Sequence, residues 1–153
     1  MSLVELAHLM GTALWIGGAL AAMVLAIAAR DEGPLVRVGL YRLLARVQTM
    51  IIGVGAILVV GTGILMTMEL SQGPASELIR QPRVWVMMVA GLVGGLMVLL
   101  IGLPTAIKLG GLAVTNDQGE VPAAFELYRR RQALVSSVAG ALAVIALAAW
   151  KLL

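Results

Sequence analysis

Residues 84–107 read VWVMMVAGLVGGLMVLLIGLPTAI, an apolar run that contains no charged side chain. A helix needs about 20 such residues to cross the hydrocarbon core of a bilayer, so this run is long enough to span a membrane. Three further stretches of similar length and composition run over 3–29, 47–70 and 133–150. We therefore predict an all-α protein, a transmembrane four-helix bundle in which residues 1–153 form a single integral membrane domain.

The composition agrees with a membrane protein and excludes several kinds of site. Of the 153 residues, 61% are hydrophobic and only 12% are charged, which is more apolar surface than a soluble domain of this size can bury. The apolar residues are continuous, whereas the strands of a membrane barrel alternate over about ten residues. The chain has no cysteine, which excludes disulfides, thiolate catalysis, iron–sulfur clusters and cysteine-ligated zinc.

The basic residues are distributed unevenly over the connections between the predicted spans. Eight of the 11 lie in the connections 30–46 and 108–132, namely Arg30, Arg37, Arg42, Arg46, Lys108, Arg129, Arg130 and Arg131. Because loops rich in lysine and arginine stay in the cytoplasm, both termini are predicted to face the outer (periplasmic) side. We expect a multi-pass protein of the bacterial inner (plasma) membrane, in contact with membrane lipids. This asymmetry accounts for the net charge of +3, so nothing indicates nucleic-acid binding.

Two segments rich in charge border the predicted spans. Residues 34–46 mix leucine and valine with three arginines, which fits either a basic helix in the inner headgroup layer or a helical lead-in to the second span. Residues 122–132 are predicted to begin the last helix, with Pro122 near its first turn. Pro104 is expected to kink or end the third helix near its inner end.

Glycines predict where the helices pack, because helices in lipid associate through close backbone approach. A helical wheel at 100° per residue places small residues on one face of each of three spans. The predicted contact faces are Met88, Gly91, Gly95 and Gly102 on the third span, Gly53, Gly61 and Met68 on the second, and Ser136, Gly140 and Val144 on the fourth.

His8 is the only histidine of the chain and lies in the first predicted span. At 1.5 Å per residue it sits roughly 8 Å below the outer end of that span, and an ionisable side chain at such a depth is a functional candidate. On the helical wheel it shares a face with Trp15. Two interpretations are open. Either His8 binds a metal or cofactor, or its neutral imidazole bonds a serine, threonine or backbone carbonyl of a neighbouring helix and stabilises the bundle.

Helix direction brings methionines to the depth of His8, because the second span ends and the third begins at this level. Imidazole and thioether are ligands of both haem iron and Cu(I). The predicted cofactor site comprises His8 as the metal ligand with Met66, Met68, Met87, Met88 and Trp15. Met68 and Met88 are favoured because each shares a face with glycines that we expect to point into the bundle. The alternative for each methionine alone is that it fills a gap in the apolar core.

Motifs for catalysis are missing from the sequence. The chain has no second histidine for a metal triad, no phosphate-binding loop and no carboxylate near the membrane centre. No catalytic residue is therefore predicted. Whether the protein is an enzyme stays open, and the sequence favours a chain that has no enzymatic activity by itself.

The first span also carries a short motif, H-x6-W-x-G-G, formed by His8, Trp15, Gly17 and Gly18. This motif resembles the first helix of the copper-resistance protein D and HemJ-like superfamily of small four-helix integral membrane proteins. The similarity continues more loosely in three places: Gly61, Thr62 and Gly63 of the second span, Arg83 and Trp85 at the start of the third, and Arg129 to Arg131 before the fourth.

The CopD-like resemblance implies a bundle that handles haem or copper at the membrane, with His8 matching the histidine of the superfamily's first helix. The HemJ-type enzymes also use a lysine in the third helix, and this sequence has none between residues 84 and 107. A second axial ligand for haem would have to come from a methionine, from another chain, or be missing.

Two functions follow from these observations. The first is a membrane protein that binds haem b or copper near the outer face through His8, with a role in electron transfer or in metal or haem handling. The second is a non-catalytic accessory subunit, without a cofactor, that packs in a larger membrane complex, respiratory or other. In both cases we expect a homo-oligomer or a larger membrane complex. A transporter or channel is a third class, disfavoured because no polar pathway crosses the membrane centre.

Overall fold

The computed structural model describes residues 2–72, 77, 80–112 and 122–152, with the side chains described as far as residue 149. In the described residues the secondary structure is helical throughout and includes no strand. The α-helices are α1 (Leu3–Ala28), α2 (Pro34–Val47), α3 (Val54–Gln72), α4 (Pro82–Met97), α5 (Leu103–Gly111) and α6 (Ala123–Leu152). Two π-helical turns, Gln48–Gly53 and Val98–Gly102, join α2 to α3 and α4 to α5.

Four helical segments are long and apolar enough to cross a membrane. They are Leu3–Ala28, Pro34–Gln72, Pro82–Gly111 and Ala123–Ala149. The prediction of an all-helical, multi-pass membrane protein is therefore confirmed at this level. Residues 34–46 continue without a break into the second segment, which favours the lead-in interpretation of that stretch over a separate surface helix.

Local sequence signals account for where the helices begin. Ser2 and Glu5 form a capping box at α1, in which the Ser2 hydroxyl accepts from the Glu5 amide at 3.1 Å and the Glu5 carboxylate accepts from the Ser2 amide at 2.8 Å. Proline occupies the first turn of α2 and of α4, at Pro34 and Pro82, where its missing N–H costs no hydrogen bond. Pro122 directly precedes α6, close to the predicted start.

Pro104 does not end the third span, because the helix continues past it to Gly111. The π-helical turn Val98–Gly102 ends two residues before this proline, so Pro104 falls in the first turn of α5 rather than inside an unbroken α-helix.

The bundle has two apolar clusters at different depths. The central cluster lies in the middle of the four spans and consists of Trp15, Ile52, Ala56, Val59, Val98, Ala139 and Ala143. The end cluster lies at the end opposite the chain termini, which we call the far end, and consists of Ala29, Val38, Tyr41, Leu109 and Phe125. The rings of Tyr41 and Phe125 meet edge to face, 5.2 Å apart.

Helices α1 and α3 approach so closely that their backbones touch. A β-carbon added to Gly55 would lie 2.7 Å from the Trp15 amide nitrogen and 2.8 Å from the Gly11 carbonyl oxygen. One added to Gly11 would lie 2.7 Å from the β-carbon of Leu58. Because β-carbons do not approach other heavy atoms this closely, only glycine fits at these two positions.

The predicted glycine faces are only partly correct. Gly53, Gly95 and Gly102 pack against other helices, as expected, and Gly94 joins them. The prediction is wrong for Gly61, Gly91 and Gly140, which meet no neighbouring atom within 4 Å of an added β-carbon, and for Val144, which is exposed. The contact face of α6 is instead formed by Val135, Ala139 and Ala143.

The physical reason is that a helical wheel gives a direction and no information on whether a neighbouring helix reaches that height. Gly91 and Gly95 therefore differ although they are four residues apart on the same unbroken α-helix. In α3 the buried residues are Gly55, Ala56 and Val59, which lie on a different side of the helix from Gly61.

Candidate functional site

His8 lies on the second turn of α1 and faces α3 across the α1–α3 contact. Its Nδ1 atom lies 2.9 Å from the Thr62 hydroxyl oxygen, a hydrogen bond between two half-buried side chains. The close backbone approach at Gly11 and Gly55 brings the two helices near enough for this bond. The sequence interpretation in which a threonine of a neighbouring helix bonds His8 is thus consistent with the structure.

The Thr62 hydroxyl lies between the His8 ring and the Leu58 carbonyl oxygen, one turn back in α3. When its hydrogen goes to the Leu58 carbonyl, its oxygen accepts from His8. In that arrangement a neutral imidazole donates through Nδ1 and keeps its lone pair on Nε2.

Gly63 of α3 lies next to the ring and places no side chain against it. A β-carbon on Gly63 would lie 3.6 Å from His8 Cε1, the carbon between the two ring nitrogens. On the α1 side, the Thr12 hydroxyl donates to the His8 backbone carbonyl at 2.9 Å and so adds a bond along the helix without touching the ring.

Trp15 shares the face of His8 but belongs to the central cluster. It is 3% exposed, and its ring atom Cη2 would lie 3.2 Å from a β-carbon on Gly94 of α4. Seven residues separate it from His8, a rise of about 10 Å along the helix. The structure therefore places Trp15 in the packing between α1 and α4, about two turns deeper than the imidazole.

The methionines predicted near His8 separate into two groups. Met66, Met87 and Met88 are half-buried. Met68 is 54% exposed, so the prediction that it points into the bundle is wrong. Like Gly61, it lies on a different side of α3 from the buried residues Gly55, Ala56 and Val59.

Comparison with protein-family models, with curated proteins and with solved structures finds no match. The resemblance of the first span to the CopD and HemJ-like superfamily therefore stays a hypothesis. Within the described part of the chain, no group of three or more histidine, aspartate or glutamate side chains is arranged to hold a metal ion. Within one chain, a metal bound at His8 would use a single imidazole, because the sequence has no other histidine.

A second polar region, which the sequence analysis missed, lies between the two apolar clusters. Gln48 is 5% exposed and begins the first π-helical turn. Thr105 is 2% exposed, and its hydroxyl donates to the Ile101 carbonyl at 2.7 Å. Gln132 of α6 donates to the Ser136 hydroxyl at 3.2 Å. A signal was present in the sequence, because each of these residues is polar and stands at the border of a predicted span.

Proposed function

We propose that this protein binds haem b or copper through Nε2 of His8, and serves electron transfer or the handling of metal or haem at the membrane. The observation that supports this best is the hydrogen bond from His8 Nδ1 to Thr62. Histidines that bind metals use one ring nitrogen as the ligand and donate the other N–H to an acceptor, which holds the ring in place.

The Thr62 bond supplies that second interaction. The hydroxyl is itself tied to the Leu58 carbonyl, so the acceptor cannot rotate away from the ring without losing its own bond. A histidine held in this way presents Nε2 in a defined direction and in the ligating form. When bound, haem iron or Cu(I) would supply the one-electron chemistry, and the chain would supply the imidazole ligand.

The half-buried methionines are candidates for a second ligand. Met66, Met87 and Met88 belong to the same end of the bundle as His8, and thioether sulfur suits both haem iron and Cu(I). Met68 is exposed, so its sulfur is not a candidate ligand for a metal at His8 of the same chain.

The orientation is part of the same proposal. Eight of the 11 basic residues lie in the two connections of the far end, which puts His8 and both termini on the outer side of a bacterial inner membrane. A reporter enzyme that is active only in the cytoplasm is expected to give no signal when fused to the C-terminus. The same reporter inserted after residue 116 is the control and should be active. The reverse pattern would contradict the orientation and move His8 to the inner leaflet.

Spectroscopy and metal analysis of the purified protein test the cofactor. We expect a haem Soret band, or about one copper per chain after loading with Cu(I) under reducing conditions. His8→Ala should abolish either signal, because it removes the only imidazole of the chain. Met88→Leu should weaken the signal. Met68→Leu makes the same chemical change at an exposed position and should leave the signal unchanged. Each substitution is expected to cost less than roughly 1.5 kcal/mol of folding free energy, so a lost signal would report lost binding.

Two threonines of α3 provide a matched control for the positioning role of the Thr62 bond. Both hydroxyls donate to the carbonyl one turn back, to Leu58 from Thr62 and at 2.8 Å to Gly63 from Thr67, but only Thr62 is bonded to His8. Thr62→Val should lower affinity about 10- to 100-fold, the usual effect of losing such a partner. Thr67→Val should leave the affinity unchanged.

A purified wild-type protein that carries and takes up neither haem nor copper would contradict the proposal. The accessory-subunit function would then account for the exposed apolar surface of the spans, and His8 would serve to join α1 to α3. Co-purification of the wild type with a larger membrane complex, unaffected by His8→Ala, would be the expected observation in that case.

A further inference from the structure

A groove of about 440 Å³ runs along the contact between α4 and α6 and shares no residue with the His8 site. Every side chain that lines it is aliphatic or aromatic, namely Trp85, Val86, Val89, Ala90, Val93 and Leu142. Trp85, Val89 and Val93 recur every four residues and are each about half exposed, so they form a wall about 12 Å long on the outside of the bundle. The groove therefore opens toward whatever surrounds the protein.

The walls of the groove are positioned by the close contact of the two helices. A β-carbon on Gly94 of α4 would lie 3.2 Å from the β-carbon of Leu142 and 3.4 Å from the Ala139 carbonyl oxygen of α6. Leu142 thus packs against α4 and also forms the opposite wall of the groove. Because the helix contact and the groove share this residue, the groove is part of the α4–α6 packing.

The lining of the groove fits a hydrocarbon chain. Both helices belong to segments long and apolar enough to cross a membrane, so in a bilayer the groove faces lipid hydrocarbon. A second helix is a poor occupant, because it is about 10 Å across and approaches closely only where the opposing face carries small residues. The exposed wall carries Trp85, Val89 and Val93 instead, which leaves the groove to a thinner molecule.

Arg83 supplies a positive charge at the end of the groove nearest the chain termini. It stands three residues before Val86 and seven before Ala90, so these residues follow one side of α4. Its Nε atom donates to Gln81 Oε1 at 2.6 Å, which holds the guanidinium at the first turn of the helix. The guanidinium fork matches the oxygens of a phosphate group. An arginine at the end of an apolar groove is the complement of a phospholipid, which joins a phosphate to its acyl chains.

We propose that the α4–α6 groove binds one phospholipid, with an acyl chain along Val89 and Val93 and the phosphate at Arg83. Trp85 stands between these two parts, near the start of the span, where indole rings are enriched in membrane proteins. The acyl chain is retained by van der Waals contact, because burial from lipid hydrocarbon gives no hydrophobic driving force. Charge complementarity at Arg83 therefore provides the selectivity for a phospholipid over other apolar molecules.

Native mass spectrometry of the full-length protein in detergent measures this binding, with phosphatidylglycerol as the probe. We expect the wild type to retain one lipid per chain. Val93→Trp, which places an indole in the groove, should weaken binding about tenfold or more. Leu92→Trp is the matched control, since Leu92 and Val93 are both 43% exposed on α4 but only Val93 lines the groove. This control should bind lipid as the wild type does.

Arg83→Gln tests the phosphate contact and leaves the walls of the groove intact, so it remains informative even if Val93→Trp disturbs the packing. Loss of the charge-assisted hydrogen bonds should weaken binding about tenfold. Arg80→Gln is the control, because Arg80 carries the same charge at the same end of the bundle but is exposed and pairs with Glu77. It should leave the affinity for phosphatidylglycerol unchanged.

Three results would overturn the proposal. One is a wild type that retains no phosphatidylglycerol. Another is equal binding within either pair, Val93→Trp with Leu92→Trp or Arg83→Gln with Arg80→Gln. The third is a wild-type dimer that Val93→Trp dissociates, which would show that a second copy of the chain covers the groove.

Discussion

Gly55→Leu is expected to prevent the bundle from folding, whereas Gly61→Leu in the same helix leaves it intact. Even the first carbon of a side chain at Gly55 would stand 2.7 Å from the Trp15 amide nitrogen and 2.8 Å from the Gly11 carbonyl oxygen. These are backbone atoms of a continuous helix, so they cannot move aside singly; α1 as a whole would have to separate from α3. We expect a loss of at least roughly 3 kcal/mol, the upper end of the usual cost of overpacking.

Size-exclusion profiles and thermal unfolding in detergent measure this difference. Gly55→Leu should give aggregated protein or a strongly lowered Tm, and Gly55→Ala should give a smaller loss of the same kind. Gly61 serves as control because an added β-carbon there meets no atom within 4 Å. Equal behaviour of Gly55→Leu and Gly61→Leu would mean that α1 and α3 do not make the contact described above. Loss of this contact would also separate His8 from Thr62.

Gly95→Leu is expected to have the second-largest effect, and Gly91→Leu almost none. A β-carbon at Gly95 would collide with the Cγ2 methyl of Val60 in α3, and the Trp15 ring lies 3.9 Å from the same point. Val60 is β-branched and has few alternative rotamers, so relief requires a shift between α3 and α4. Since the atom in the way belongs to a side chain, we expect roughly 2 kcal/mol, less than at Gly55.

The two variants are compared by thermal unfolding in the same detergent. Gly91 and Gly95 form a G-x-x-x-G pair, and a packing motif read from sequence would make them equivalent. The structure makes them different, because nothing lies within 4 Å of a β-carbon at Gly91. A large destabilisation by Gly91→Leu would contradict the structure of α4 or would reveal a contact of Gly91 with another chain.

The four spans could be predicted from sequence because the length of an apolar stretch is enough to identify them. A helix that crosses a bilayer needs about 20 apolar residues, and each predicted stretch satisfies this condition whatever its neighbours do. Beyond these stretches, the last helix begins at Ala123, as predicted for residues 122–132, and α2 begins at Pro34, in agreement with the lead-in interpretation of residues 34–46. Both segments contain arginines, so hydropathy alone did not assign them to the spans.

The packing could not be predicted from sequence in the same way, since it depends on which helix stands opposite each face. Gly55 was not singled out, although it makes the tightest contact with α1, and Gly140 was singled out although it meets nothing. Met68 and Gly61 were misassigned together because they share a face of α3 that lies away from its buried residues, Gly55, Ala56 and Val59.

The candidate site, too, could be predicted from sequence only in part. His8 could be selected from sequence, since it is the only histidine and lies within an apolar span. Its partner Thr62 could be named only as a residue type, because the pairing depends on the height at which α1 meets α3. The polar region of Gln48, Thr105 and Gln132 was missed because glutamine and threonine are ordinary near headgroups at the end of a span. Only the structure shows that Gln48 and Thr105 are buried and that Gln132 Oε1 is enclosed.

The length of the second span has a consequence for how the molecule is held together. Pro34–Gln72 comprises 39 residues, which extend about 58 Å as a helix, nearly twice the roughly 30 Å of bilayer hydrocarbon. We therefore expect the end cluster around Tyr41 and Phe125 to lie in the headgroup and aqueous layers. Water would then drive its assembly as in a soluble protein, with the heat-capacity signature of apolar burial and sensitivity to urea. We expect the central cluster to lie in the hydrocarbon and to depend on close fit, so that the two parts of one continuous helix would be stabilised in different solvents.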